Sequence, residues 1–173
     1  MSETPGLSEE GRKHAMGTLF VEEEIDGMYT KDVWTDEEMK KLLITKAIEV
    51  LPNSYALYSN YHVAAAALFE SGKIYTGVNV ESALLGNTIC AERNAIFHAV
   101  AEGERKLLAI AIVGGNNRVC NEYCVPCGNC RQVMRDFADK DTMLVISAKT
   151  AEDYMEKTLD EMLPFSFGPE SLD

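Results

Sequence analysis

The sequence predicts an α/β protein: a mixed β-sheet of about five strands held between helices as a three-layer αβα sandwich. Three observations point there. "HVAAAALFESGKIYTGVNVE", residues 62–81, reads as a β-hairpin. "LLAIAIVGG" at 107–115 and "TMLVIS" at 142–147 are apolar almost throughout, as strands covered on both faces are. Each of these two strands follows a helical segment, and a helix–strand–helix–strand order after a hairpin calls for one sheet with helices on both sides. At 173 residues the chain has the length of one domain.

Each element carries its own reason. Residues 1–33 are acidic, include "VEEEIDG" at 21–27 and hold no sustained period. They are expected to form an N-terminal extension, disordered or strapped over the single domain of residues 34–173. Thr35 opens a T-x-x-E capping box with Glu38, ahead of apolar positions at Met39, Leu42, Leu43, Ala47 and Val50. That helix stops at Pro52. In the hairpin, Val63–Phe69 is a buried strand, Ser71-Gly72 the turn and Lys73–Val80 the return. A helix is expected from Ala91 to Glu102, ended by Gly103, and a second over residues 128–138.

Composition narrows the function. Twenty-eight acidic residues against sixteen basic ones give a net charge of -12, a field that repels a phosphate backbone. No nucleic-acid partner is therefore expected. The apolar run "VAAAALF" at 63–69 is too short to cross a bilayer, and "MSETPGLSEE" has neither a basic nor an apolar leader segment. Five cysteines, four of them within residues 120–130, form no even, dispersed framework. The pattern favours reduced thiols, a metal and a cytoplasmic location.

Cys90, Cys127 and Cys130 are candidates to ligate one zinc ion. Cys127-Gly-Asn-Cys130 is a C-x-x-C step at a helix start, and Cys90 enters from another helix start. Both helix N-termini offer free N–H groups and partial positive charge to thiolates. Three thiolates over-neutralise Zn²⁺, so Arg93 and Arg131 are candidates to draw charge off the sulfurs. Closure as a structural Cys₄ site with Cys120 or Cys124 is the alternative. Against it stands Glu92, a carboxylate beside a ligand, where a proton carrier for water belongs. The Cys120-x₃-Cys124-x₂-Cys127 spacing can hold an iron–sulfur cluster, but that would leave Cys130 and Glu92 without roles. His62 and His98 read as structural rather than ligating.

"CAER" at 90–93 with "PCGNCRQV" at 126–133 resembles the cytidine deaminase family, in its small free-nucleoside branch. "YSNYHVAAAAL" at 58–68, "GVNVE" at 77–81 and "LPFSF" at 163–167 extend the likeness over about residues 55–170. The resemblance implies the cytidine deaminase-like fold and zinc-dependent hydrolytic deamination of a free cytosine nucleoside, in pyrimidine salvage. Glu92 would carry a proton from water to N3 and then to the departing amine. It further implies that the main chain of Ala91 meets the ring amino group and that of Cys127 the ring carbonyl. Asn79 and Glu81 would hold the ribose hydroxyls, and Tyr61 would lie against the base. Phe167 would be supplied to a neighbouring subunit of a homotetramer, a homodimer being the simpler assembly.

The chain departs from the family pattern at Tyr61, where phenylalanine is usual, at Ala64 for glycine, and at Leu85 for tyrosine. It also carries an insertion, "GGNNRVCNEYC" at 114–124. These departures leave a modified or antibiotic nucleoside of blasticidin type as an alternative substrate.

Overall fold

The structure is a computed structural model that describes residues 35–172. The acidic extension expected over residues 1–33 lies outside the described residues. Helix α1 (Glu37–Val50) leads into the hairpin β1 (Tyr61–Phe69) and β2 (Ile74–Val78). Helix α2 (Ala91–Ala101), β3 (Leu107–Asn116), α3 (Gly128–Phe137) and β4 (Leu144–Ala148) follow. The chain then adds β5 (Tyr154–Thr158) and a short α4 (Leu159–Met162). Strand order is β2-β1-β3-β4-β5. The β3–β4 pair is parallel and the other three are antiparallel, so the sheet is mixed and five-stranded as expected.

Period-two alternation splits the core into two layers. From β1, Ala64, Ala66 and Leu68 pack with Leu43, Ile44 and Ala47 of α1 on one face. Ala65, Ala67 and Phe69 pack with Ala91, Ala95 and Ile96 of α2 and Met134 of α3 on the other. The run of alanines in β1 is fully buried on both faces, which explains why it reads as continuous rather than alternating. The sandwich therefore has α1 on one side and the two cysteine-bearing helices together on the other.

One local reading needs correction, and one strand left no apolar signal. The first helix takes Asp36 rather than Thr35 as its N-cap and starts at Glu37, without a side-chain capping bond from Asp36. A capping box does occur at α4, where Thr158 and Glu161 exchange bonds. The fifth strand, β5, carries no apolar run: its "YMEKT" sits half-buried or exposed at the sheet edge, where among the described residues only β4 pairs with it. Among the described residues no helix is long and apolar enough to cross a membrane.

The contact that places α2 against the sheet is made at Gly77 in β2. A Cβ there would fall inside van der Waals distance of the main-chain N of Ala95 and O of Ala91. Only glycine lets strand and helix approach so closely. Asn94 adds a bond from its Nδ2 to the carbonyl of Val78, 2.8 Å away. Replacing Gly77 by alanine is expected to cost about 1–3 kcal/mol by overpacking, and to lower zinc content because Cys90 moves with α2. Denaturant midpoints and metal analysis of Gly77→Ala check this, and an unchanged midpoint would contradict the close approach.

Candidate active site

Two helix starts meet at one point. Cys90 is the N-cap of α2 and Cys127 the N-cap of α3, both with extended backbone and neither forming a side-chain capping bond. Cys130 lies in the first turn of α3 and is fully buried. The three sulfurs lie within 4.8 Å of one another. Cys90 Sγ is 3.9 Å from Cys127 Sγ, which is 3.5 Å from Cys130 Sγ. Thiolates about 2.3 Å from a tetrahedral zinc stand about 3.8 Å apart, so the observed spacing fits that ion. Three protein ligands is also the number that catalytic zinc sites use.

The alternative of a fourth cysteine is not what the fold builds. All five cysteines are free, and neither Cys120 nor Cys124 belongs to the sulfur cluster. Cys124 is buried beside Tyr61, where desolvation pushes its thiol up to about 12. Burial likewise raises Cys120. His62 is bonded to Ser54 and Asn60, and His98 stacks edge-on against Tyr75 with ring centroids 5.3 Å apart. Both histidines are structural.

The expected charge partners diverge. Arg93 Nη2 lies 3.6 Å from Cys90 Sγ and 3.1 Å from the carbonyl of Thr88. Hydrogen bonding from Cys130, followed by that from Arg93 and Cys127, lowers the Cys90 thiol to about 5. Cys130 moves upward through its bond with Cys90 and its burial. Arg131 instead donates to the carbonyls of Pro126 and Met162 at 2.8 and 2.7 Å, tying the start of α3 to the end of α4.

Glu92, in the first turn of α2, is 3% exposed. Burial, with the nearby Cys90 charge, raises its carboxyl to about 7, which suits a group that takes and returns a proton near neutrality. Glu92 lines a cleft of about 450 Å³ together with Cys90, Cys127, Tyr61, Asn79 and Glu81. Ala91 is buried at the head of the same helix.

Asn79 and Glu81 hold their shape through bonds to the main chain. The Asn79 amide accepts from Val63 N at 3.0 Å and donates to Tyr61 O at 2.8 Å, tying the end of β2 to the start of β1. Glu81 accepts from the N–H groups of Tyr58 and Ser59 and from the Ser59 hydroxyl, which together lower its pKa. The Tyr61 phenol is raised by burial and by Cys124 and Glu122 beside it. Phe167 stands apart from this cleft, 59% exposed, with its carbonyl accepting from Gln132 at 3.0 Å.

Sequence reasoning missed the part of the cleft's lining formed by Glu122, Tyr123, Cys124 and Val125. These residues belong to the inserted segment and its edge. The insertion itself is the signal, since it departs from the family pattern, but nothing in its spacing says that its end reaches the cleft.

The comparisons agree with this geometry. The sequence pattern of the family described as "Cytidine and deoxycytidylate deaminase zinc-binding region" matches residues 37–146. A cytidine deaminase of Halalkalibacterium halodurans is 38% identical over 133 residues, 77% of this chain and 97% of its own length. One from Sporosarcina psychrophila is 37% identical over 130 residues, 75% and 92% of the two chains. The crystal structure of cytidine deaminase from Burkholderia pseudomallei superposes with a TM-score of 0.66 at 38% identity, covering 73% of this chain and 97% of that one. Fold and thiol centre define a zinc-dependent hydrolase acting on a C–N bond. The chain belongs to the cytidine and deoxycytidylate deaminase family.

Metal analysis separates the ligands from the bystanders. Cys120→Ser and Cys124→Ser are expected to retain one zinc per chain, whereas Cys130→Ser loses it and melts at lower temperature. Full zinc in Cys130→Ser, or its loss in Cys120→Ser, would contradict the three-sulfur site.

Proposed function

We propose that this chain converts cytidine or deoxycytidine, with water, to the uridine product and ammonia. The observation that carries the reading is the buried Glu92 carboxyl, two residues beyond Cys90, in a cleft that also presents Asn79 and Glu81. Zinc held by Cys90, Cys127 and Cys130 supplies, when bound, the positive charge that acidifies water.

The chain's own groups do the rest. Glu92 accepts a proton from the attacking water, delivers it to N3, and then assists departure of the amine from C4. The main chain of Ala91 receives the ring amino group, and that of Cys127 faces the ring carbonyl. Glu81, already held by three donors, and Asn79 take the ribose hydroxyls, each through its remaining hydrogen-bonding capacity. Tyr61 lies against the base.

A homotetramer of such chains, each lending Phe167 to a neighbour, is supported by the exposure of Phe165 and Phe167, and a homodimer is the simpler assembly. The acidic residues 1–33 extend a single catalytic domain of residues 34–173, working in pyrimidine salvage in the cytoplasm. A second reading, a modified or antibiotic nucleoside of blasticidin type, is favoured by the Glu122–Val125 wall.

Ammonia release from cytidine, deoxycytidine and a panel of such analogues tests the reading, and wild-type protein that released none from any of them would overturn it. Glu92→Gln is expected to keep zinc and fold while turnover falls by about 10²–10⁴. The cleft is lined by Glu81, Glu92 and Glu122, and among the described residues lining it none is Lys or Arg. Deoxycytidine is therefore expected to exceed its 5′-monophosphate at least about tenfold in kcat/KM, since an unpaired phosphate meets only like charge. Equal rates on the two would refute that electrostatic account.

A further inference from the structure

Tyr123 is the aromatic residue that the inserted segment brings to the cleft. It is 39% exposed and lines the same cleft as Tyr61 and Glu92. Its position is built rather than incidental. The Tyr123 hydroxyl donates to Asp153 Oδ1 at 2.6 Å, from the turn between β4 and β5. Lys149 Nζ stands 4.1 Å from the Tyr123 ring centroid and 3.2 Å from Asp153 Oδ2. One ring face is thus occupied by a cation and the hydroxyl end is fastened, in a residue that lines the cleft.

The segment behind Tyr123 is also held. Asn117 accepts from Asn60 Nδ2 through its Oδ1 at 2.6 Å, and its N–H reaches the Asn60 carbonyl at 3.2 Å. Arg118 donates to the carbonyl of Ser54. A ring fixed at both its hydroxyl and one face loses little freedom when a flat ligand packs on it, which is the condition for an aromatic side chain to add affinity.

We propose that Tyr123 is a substrate-positioning residue: an aromatic wall, oriented by Asp153 and Lys149, against which the aminopyrimidine nucleoside packs. This rests on the deaminase reading above. Asp153 and Lys149 then act on substrate only through Tyr123.

Steady-state kinetics on cytidine with zinc-loaded full-length protein test it, using wild type, Tyr123→Ala, Tyr123→Leu, Tyr123→Phe, Asp153→Ala and the Tyr123→Ala/Asp153→Ala double variant. Base–aromatic stacking lost to alanine corresponds to at least about a fivefold effect. Tyr123→Ala and Tyr123→Leu are expected to raise KM by at least that factor, with kcat within about threefold of wild type. Tyr123→Phe keeps the ring and should retain most of the affinity. Asp153→Ala should raise KM by a smaller factor that disappears in the Tyr123→Ala background, which a merely structural aspartate would not do.

A KM within twofold of wild type in both Tyr123→Ala and Tyr123→Leu overturns the proposal. So does an Asp153→Ala effect that persists in full in the double variant. Should the alanine variant fail to fold, the leucine variant decides alone. If wild type turns over cytidine normally and the Tyr123 variants are unaffected, Tyr123 loses its role while the reaction stands. If wild type releases ammonia from none of cytidine, deoxycytidine and the analogue panel, both fall.

Discussion

Three sulfurs within 4.8 Å of one another would repel strongly if all were deprotonated, and much of the surrounding chain bears on that problem. Two helix N-termini point their free N–H groups and partial positive charge at the cluster, and Arg93 adds a full charge next to Cys90. Even so, protein charge alone does not carry three thiolates: Cys90 falls to about 5 while Cys130 is driven upward by its neighbour and by burial. A divalent cation resolves the conflict, and its binding must expel the protons that remain. Metal affinity, helix placement and local charge are therefore one coupled property of this fold.

The scaffold serves that cluster by fixing α2. Gly77 lets β2 sit against the first turns of the helix, and Asn94 bonds the end of the same strand. Asn79, one residue beyond β2, reaches across to the start of β1. Residues that shape the cleft and the helix start that carries Cys90 therefore share a short stretch of continuous packing. Precision in such a site comes from rigid elements, since a carboxyl displaced by an ångström forfeits much of its effect on rate.

What the sequence disclosed followed the same division. The hairpin, the two buried strands, the paired helix starts and the three clustered cysteines all leave strong local signals, because spacing and periodicity are fixed by regular geometry. Strand β5 left none, since an edge strand of mixed polarity has no buried face to impose a pattern. Asp36 stands in place of Thr35 as the cap, a one-residue difference of the kind that neighbouring residues able to serve as N-caps leave open in a sequence. Arg131 looked like a partner of the thiolates from its position beside Cys130, but bonds to two carbonyls claim its guanidinium. The Tyr123–Asp153–Lys149 arrangement joins residues about thirty apart along the chain, and no spacing rule reaches that far.

The departures from the family pattern separate by the face of the sheet they occupy. Ala64 points toward α1, in the core layer opposite the cleft, so its added methyl bears on packing and not on substrate. Leu85 lies on an exposed turn, 70% accessible. Tyr61 and the inserted segment, in contrast, meet inside the cleft: the phenol is flanked by Cys124 and Glu122, both from the segment's end. A tyrosine hydroxyl in a half-buried wall needs polar company, and the insertion supplies a thiol and a carboxylate there. The two changes are thus complementary halves of one altered wall, and neither adds a sulfur to the cluster of Cys90, Cys127 and Cys130. The sulfur cluster is thus placed by helix starts, whereas the altered lining of the cleft is placed by a loop, the kind of element that varies most readily.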